Sequence, residues 1–231
     1  MHEPIVLLPG MMCDGRLFTP QIAAFSGNHP VMTMPLTGHS NVAGLAADIL
    51  SRTPERFALA GLSMGGIVAM EVIRQAPERV SRLALLDTNP NAELAEVAAG
   101  REPQIQSVRA GGLRKVMREE MKPKYLAEGA NRQPILDLCM EMATSLGAQV
   151  FVDQSRALQV RPDQRETLSH VRVPTLVLCG ALDTVCPPQR HELMRDLIPG
   201  AELALIDGAG HLPVLERPDE TNKELLRWLN R

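Results

Sequence analysis

The stretch from Phe57 to Gln75 most restricts what this chain can fold into. Phe57-Ala58-Leu59-Ala60 is a short apolar run suited to a buried strand. Ile67 to Gln75 is an apolar segment of helical length that stops before Pro77. Between them stands Gly61-Leu62-Ser63-Met64-Gly65-Gly66, so strand must turn sharply into helix through a serine flanked by glycines.

The same rhythm recurs on either side. Ile5 to Leu8 is a strand ending at Pro9-Gly10, and Val31 to Met34 a second strand broken by Pro35. Ser40 to Ser51 places Val42, Leu45, Ala46, Ile49 and Leu50 at helical spacing, with Ser40 or Asn41 as its cap. Val80 to Leu86 is a further strand. Near the end come a strand at Val173 to Gly180, a helix at Gln189 to Leu197, a strand at Ala201 to Ile206 and a helix at Pro218 to Leu229. Apolar strands without strict alternation, each followed by a helix, predict an α/β fold with a mostly parallel central sheet covered on both faces.

Residues 91–166 differ. Leu94 to Ala99, Gly112 to Ala127 and Gln133 to Leu146 carry helical patterns, and no strand pattern interrupts them. The expected organisation is therefore a core made of 1–90 and 167–231, with 91–166 inserted as a small helical cap. In such sheets ligands bind beyond the carboxyl ends of the strands, and a cap there would cover the site.

Ser63 is the candidate nucleophile. The turn exposes its hydroxyl, and the first amides of the following helix point at the same space, where they stabilise negative charge. A serine needs a base, and the base an orienting carboxylate. Asp183, in Cys179-Gly180-Ala181-Leu182-Asp183, follows an apolar strand, and His211 lies in the glycine-bearing loop Asp207-Gly208-Ala209-Gly210-His211 after the last strand. All three fall at carboxyl strand ends. Asp207 is the nearest rival acid. His2, His29, His170 and His191 lack such a loop, and His39 is expected in a structural role or at a pocket wall. The two amides of an oxyanion hole fall on Met64, after the serine, and on Met11 in the loop Pro9 to Gly15, with Met12 as alternative. Cys13 in that loop has no second base placed for it. Asp14 either restricts anionic substrates or holds the loop through Arg16.

Composition narrows the classes. A formal net charge of -3 and the lack of a basic run argue against a nucleic-acid partner. The four cysteines lack the paired spacing of a zinc site, and neither a metal nor a cofactor is required by this chemistry. The N-terminus makes a poor signal peptide and no segment reads as long enough to span a bilayer, so a cytoplasmic location without membrane association is expected. Aromatic residues are only 3%, while Met11, Met12 and Met64 suit an adaptable apolar pocket for a small or flexible acyl group. Met117, Met121, Met140 and Met142 suit either that pocket or helix packing. Arg109, Arg114, Lys115 and Arg118 would orient a carboxylate if they faced inward, although basic residues on an insert are usually solvated. Oligomeric state is not legible.

The segments LLPGMM, LTGHS, GLSMGG, LCGALDTVCPP and DGAGHLPVLERPDE together resemble the α/β-hydrolase superfamily, in its compact capped esterase and lactonase-like members. The likeness covers about Pro4 to Asn89 and Val171 to Arg231. It implies a catalytic triad of Ser63, Asp183 and His211, an oxyanion hole from the Met11 and Met64 amides, and hydrolysis of a small-molecule carboxylic ester or lactone through an acyl-enzyme. C–C bond hydrolases or lyases using the same triad, and non-catalytic small-molecule receptors on the same scaffold, remain alternatives at this level. Many relatives carry His-Gly where this chain has Pro9-Gly10, so the hydrogen bonding of that loop must differ.

Overall fold

The computed structural model describes residues 3–129 and 131–231; His2 lies outside them. Its six-stranded sheet has the order β2-β1-β3-β4-β5-β6 with every pairing parallel. The strands are β1 (Ile5–Leu8), β2 (Val31–Thr33), β3 (Phe57–Leu62), β4 (Val80–Leu86), β5 (Thr175–Gly180) and β6 (Glu202–Ile206). β1, β3 and β5 are buried along their whole length, as near-continuous apolar runs require when both sheet faces are covered. The covering helices include α1 (Thr19–Phe25), α2 (Val42–Arg52) and α3 (Met64–Gln75), then α8 (Pro188–Leu197) and α10 (Pro218–Leu229) late in the chain. α2 is capped by Asn41, whose side chain accepts from the Gly44 amide at 2.7 Å. α1 and the short α9 (Pro213–Glu216) have no counterpart in the sequence reading.

The strand order places the site. The chain leaves β1 toward β2 on one side and returns to add β3 on the other, so the loops after β1 and β3 diverge and open a crevice at the carboxyl edge. Pro9-Gly10 and Ser63 face each other across it.

Among the described residues of 91–166 the regular structure is all helical, with α4 (Ala95–Ser107), α5 (Leu113–Val116) and α6 (Arg132–Gln159) joined by shorter helical turns and irregular stretches. α6 runs on to Gln159 across a kink at Gly147, whose φ of 83° no helix interior adopts. Its length and an 18-residue window of mean hydropathy 1.4 satisfy the criteria for a bilayer-crossing helix, contrary to the expectation that no segment would. Its residues Cys139, Met142, Phe151 and Ala157 are buried against the core. The short α7 (Arg165–Ser169) returns the chain to β5.

His191, on α8, is fully buried and ties the start of that helix to the end of β4. Its Nε2 accepts from the Thr88 amide after β4 at 3.0 Å, and Nδ1 lies 3.3 Å from the Pro187 carbonyl. Burial pushes its pKa down from 6.5 to about 4, so the folded protein holds it neutral. Between pH 6.5 and 4 the unfolded chain therefore binds a proton that the folded chain refuses, and about 3 kcal/mol of stability is lost as pH falls through that window. His191→Gln removes the titration. Urea unfolding of the variant and the parent should show their stabilities converging, or crossing in the variant's favour, from pH 7 to pH 4; parallel pH profiles would contradict this account.

Candidate active site

Three non-glycine residues have positive φ among the described residues: Met12 (57°), Ser63 (55°) and Asp87 (45°). Each follows a strand at the carboxyl edge, β1, β3 and β4 in turn. Backbone strain of this kind costs about 1–3 kcal/mol per residue and persists only where the surroundings enforce it. At Ser63 the enforcement is visible. A Cβ on Gly61 would sit 2.3 Å from the Gly65 carbonyl oxygen, and one on Gly65 would sit 2.0 Å from the Leu8 carbonyl oxygen. β3, α3 and β1 thus approach more closely than any side chain allows, and Ser63 is left at the apex.

The structure brings Ser63, His211 and Asp183 into one hydrogen-bonded chain. His211 Nε2 lies 2.9 Å from Ser63 Oγ, and His211 Nδ1 lies 2.8 Å from Asp183 Oδ2. The other Asp183 oxygen accepts from the Val185 and Cys186 amides at 2.8 and 3.0 Å. Asp183 and His211 are buried at 3% exposure each, while Ser63 is partly open to the cavity. The arrangement has the geometry in which a hydroxyl can pass its proton to an imidazole as its oxygen attacks, with a carboxylate holding the ring in the tautomer that accepts at Nε2. Asp207 is exposed and His39 lies exposed beside Gly44, away from the cavity.

The loop after β1 is closed by the Cys13 amide donating to the Gly10 carbonyl at 3.1 Å. Within it the Met12 amide donates to Gln154 Oε1 at 2.8 Å, while Gln154 Nε2 donates to the Leu36 carbonyl at 2.8 Å. Met12 is therefore occupied. The Met11 amide has no protein acceptor among the described residues, nor has that of Met64, the first residue of α3. Asp14 grips Arg16 and stands outside the cavity. Burial pushes the Cys13 thiol well above its ordinary range, which keeps it in the poorly nucleophilic neutral form.

The cavity holds about 310 Å³. One wall comes from strand-end residues, including Gly10, Ser63, Cys186 and His211; the opposite wall comes from the helical segment, including Leu94, Val97, Met121 and Tyr125. Met117, Met140 and Met142 are buried in helix packing, whereas Met11, Met64 and Met121 line the cavity. Arg109, Arg114, Lys115 and Arg118 are exposed and do not line it. The arginines that do are Arg101, Arg161 and Arg190, which no sequence pattern marked out.

Two further acids support the site, Asp87 fully buried and Glu216 partly so. Asp87 Oδ1 accepts from the Gly180 amide at 2.9 Å, and its carboxyl lies within 4.8 Å of Asp183 and of Cys179. Burial, then the nearby Asp183 charge, pushes Asp87 well above the usual carboxylate range. Asp183, Cys186 and His211 also gather three potential metal donors within 4.8 Å. In both clusters Asp183 is already committed to His211 and two amides, and burial raises the cysteine thiols away from the thiolate a metal needs. The second support is Glu216 on α9, which no sequence pattern marks out although it lies five residues after His211. Its carboxylate accepts from the Gly210 and Leu212 amides on either side of the histidine, each at 3.0 Å, and from Ala127 at 2.8 Å. The His211 amide itself donates to the Tyr125 carbonyl at 2.7 Å.

Glu216→Gln replaces one of these acceptor oxygens with a donor facing amide hydrogens. With charged hydrogen bonds worth about 1.5–3 kcal/mol, the variant should melt roughly 4–10 °C below the parent in calorimetry. An unchanged Tm would show that the histidine loop holds its shape without this carboxylate.

A sequence model described as the Alpha/beta hydrolase family matches residues 5–224. A pimeloyl-[acyl-carrier protein] methyl ester esterase from Aliivibrio salmonicida is 24% identical over 97% of this chain and 91% of its own. A thermophilic esterase from Thermogutta terrifontis, solved with malate bound, superposes with a TM-score of 0.91 at 26% identity, over 100% of this chain and 90% of its own. The enol-lactonase from Burkholderia xenovorans LB400 shares the fold with a TM-score of 0.89 at 22% identity, over 100% of this chain and 92% of its own. With its parallel sheet, its glycine-flanked serine turn and a family match spanning nearly its whole length, the chain belongs to the α/β hydrolase family.

Proposed function

We propose that this protein is a serine hydrolase that cleaves a carboxylic ester or lactone of a small molecule through an acyl-enzyme. The observation that carries this reading is the unbroken hydrogen-bonded chain Asp183–His211–Ser63 opening into a cavity. The names of its relatives, an esterase that acts on a methyl ester and a thermophilic esterase, lend it support.

In the proposed reaction His211 takes the Ser63 proton as Oγ attacks the ester carbonyl. The Met11 and Met64 amides receive the resulting oxyanion, with Gln154 holding the Met11–Met12 loop in place through the next amide along. His211, now protonated, gives the proton to the departing alkoxide, leaving an acyl group on Ser63. Water then enters, loses its proton to His211 and attacks the acyl carbon, and collapse returns the proton to Ser63 Oγ as the carboxylic acid leaves. Asp183 stabilises the imidazolium without taking its proton. Residues 91–166 act as the cap that closes the cavity against bulk water, on top of a core formed by 1–90 and 167–231.

Hydrolysis of p-nitrophenyl acetate or butyrate tests the assignment. Ser63→Ala should lower kcat by at least about 10⁴-fold, since loss of the nucleophile removes the covalent route. A variant that retains the parental rate would sink the reading.

A further inference from the structure

The cavity around Ser63 carries more positive charge than its acids neutralise. Glu93 has a side chain only 3% exposed and receives two guanidinium groups. Arg101 Nη2 stands 3.2 Å from its Oε1, and Arg161 Nη1 stands 3.3 Å from its Oε2. Arg161 also donates from Nε to the Asn91 carbonyl at 3.1 Å. Arg190 lines the same cavity, and its side chain has no ion pair or hydrogen bond among the described residues. Three guanidinium groups therefore line the cavity, and the one carboxylate among them, Glu93, pairs with only two.

The other nearby acids do not redress the balance. Asp183 is spent on His211 and two amides, and Glu216 on the amides around the histidine. Asp87 is buried behind Asp183, outside the cavity lining. Two polar atoms of cavity-lining residues also lack partners while buried: Arg101 Nε, a donor, and Asn91 Oδ1, an acceptor. Leaving charged and polar groups desolvated and unmatched is costly, and a wall built this way is completed by something with negative charge. The planar guanidinium fork matches the paired oxygens of an oxyacid. Apolar side chains, among them Met11, Val97 and Leu158, line the rest of the space.

From this wall we infer that the substrate is bifunctional: an ester presented to Ser63, a short apolar spacer, and an anionic oxygen group, carboxylate or phosphate, held by Arg101, Arg161 and Arg190. The inference rests on Ser63 acting as the nucleophile of this cavity. It adds an anionic group to the small or flexible acyl group expected of an apolar pocket, and it moves the anion-binding role away from the exposed basic residues of the insert. Glu93 serves to hold Arg101 and Arg161 in place, not to cancel the wall.

Three methyl esters of matched length separate the possibilities: methyl pentanoate, monomethyl glutarate and methyl 4-phosphonobutanoate. The parent enzyme should turn over one of the anionic esters with a kcat/KM at least 10-fold above the neutral one, and the better of the two identifies the anion. Arg190→Gln should reduce that anionic-to-neutral ratio by about 10- to 100-fold, with Arg190→Lys recovering part of it. Equal rates on all three esters, with p-nitrophenyl acetate still cleaved, would overturn the inference and leave the serine reading standing. If no ester is cleaved, calorimetric titration with glutarate and with inorganic phosphate decides. Binding that Arg190→Gln abolishes would support the anion wall against the hydrolytic reading, and no binding of either anion would overturn the wall.

Discussion

Everything in this site depends on how closely β3, α3 and β1 cross. Gly61 and Gly65 allow the strand and the helix to come within a distance that any Cβ would block, and Gly65 presses α3 onto the backbone at Leu8. The chain can turn from β3 into α3 only if Ser63 accepts a φ of 55°. That strained residue lies at the topological switch point of the sheet, where loops diverge and a cavity opens without disturbing the packed core. An alanine at Gly61 or Gly65 would push apart three elements at once. The strain at Ser63 is sustained because α3 is almost wholly buried and cannot shift to relieve it.

The other half of the geometry is electrostatic. His211 must reach Ser63 from a loop after β6, three strands away in the sheet, so its backbone is fixed from several directions: Glu216 on the amides before and after it, and Tyr125 on its own amide. Tyr125 and Ala127 belong to the helical segment. The histidine loop and the cavity's far wall are thereby built as one unit, and so is the loop after β1, through Gln154 on α6. In the proposed reaction the insert is more than cover. It fixes both the base and the oxyanion loop, which must hold position to within a fraction of an ångström.

Local signals make the framework and the side chains of the candidate triad legible in the sequence. Ser63, Asp183 and His211 each follow an apolar run with a glycine one to three residues before them, and strand ends can be recognised one at a time. What stayed hidden depends on contacts between distant residues. Gln154 lies 142 positions from its partner Met12 and reads as one polar residue among several on a helix. Arg101 and Arg161 converge on Glu93 only because α4 and the chain after α6 meet over the cavity. Glu216 was within sight of His211, but a glutamate between Leu215 and Arg217 looks solvated until α9 folds it back. The 28-residue α6 outruns its sequence pattern because Gly147 and the polar residues after it interrupt the apolar spacing that the kinked helix spans.

Covalent capture tests the central claim most directly, because it reads the reacting atom without assuming a substrate. A small aryl-phosphonate ester should add one phosphonyl group to the protein, seen in the intact mass, and peptide mapping should locate it on Ser63. His211→Gln should slow its addition, and Ser63→Ala should abolish it. Labelling that persists in Ser63→Ala, or that maps to Cys13, would contradict the account.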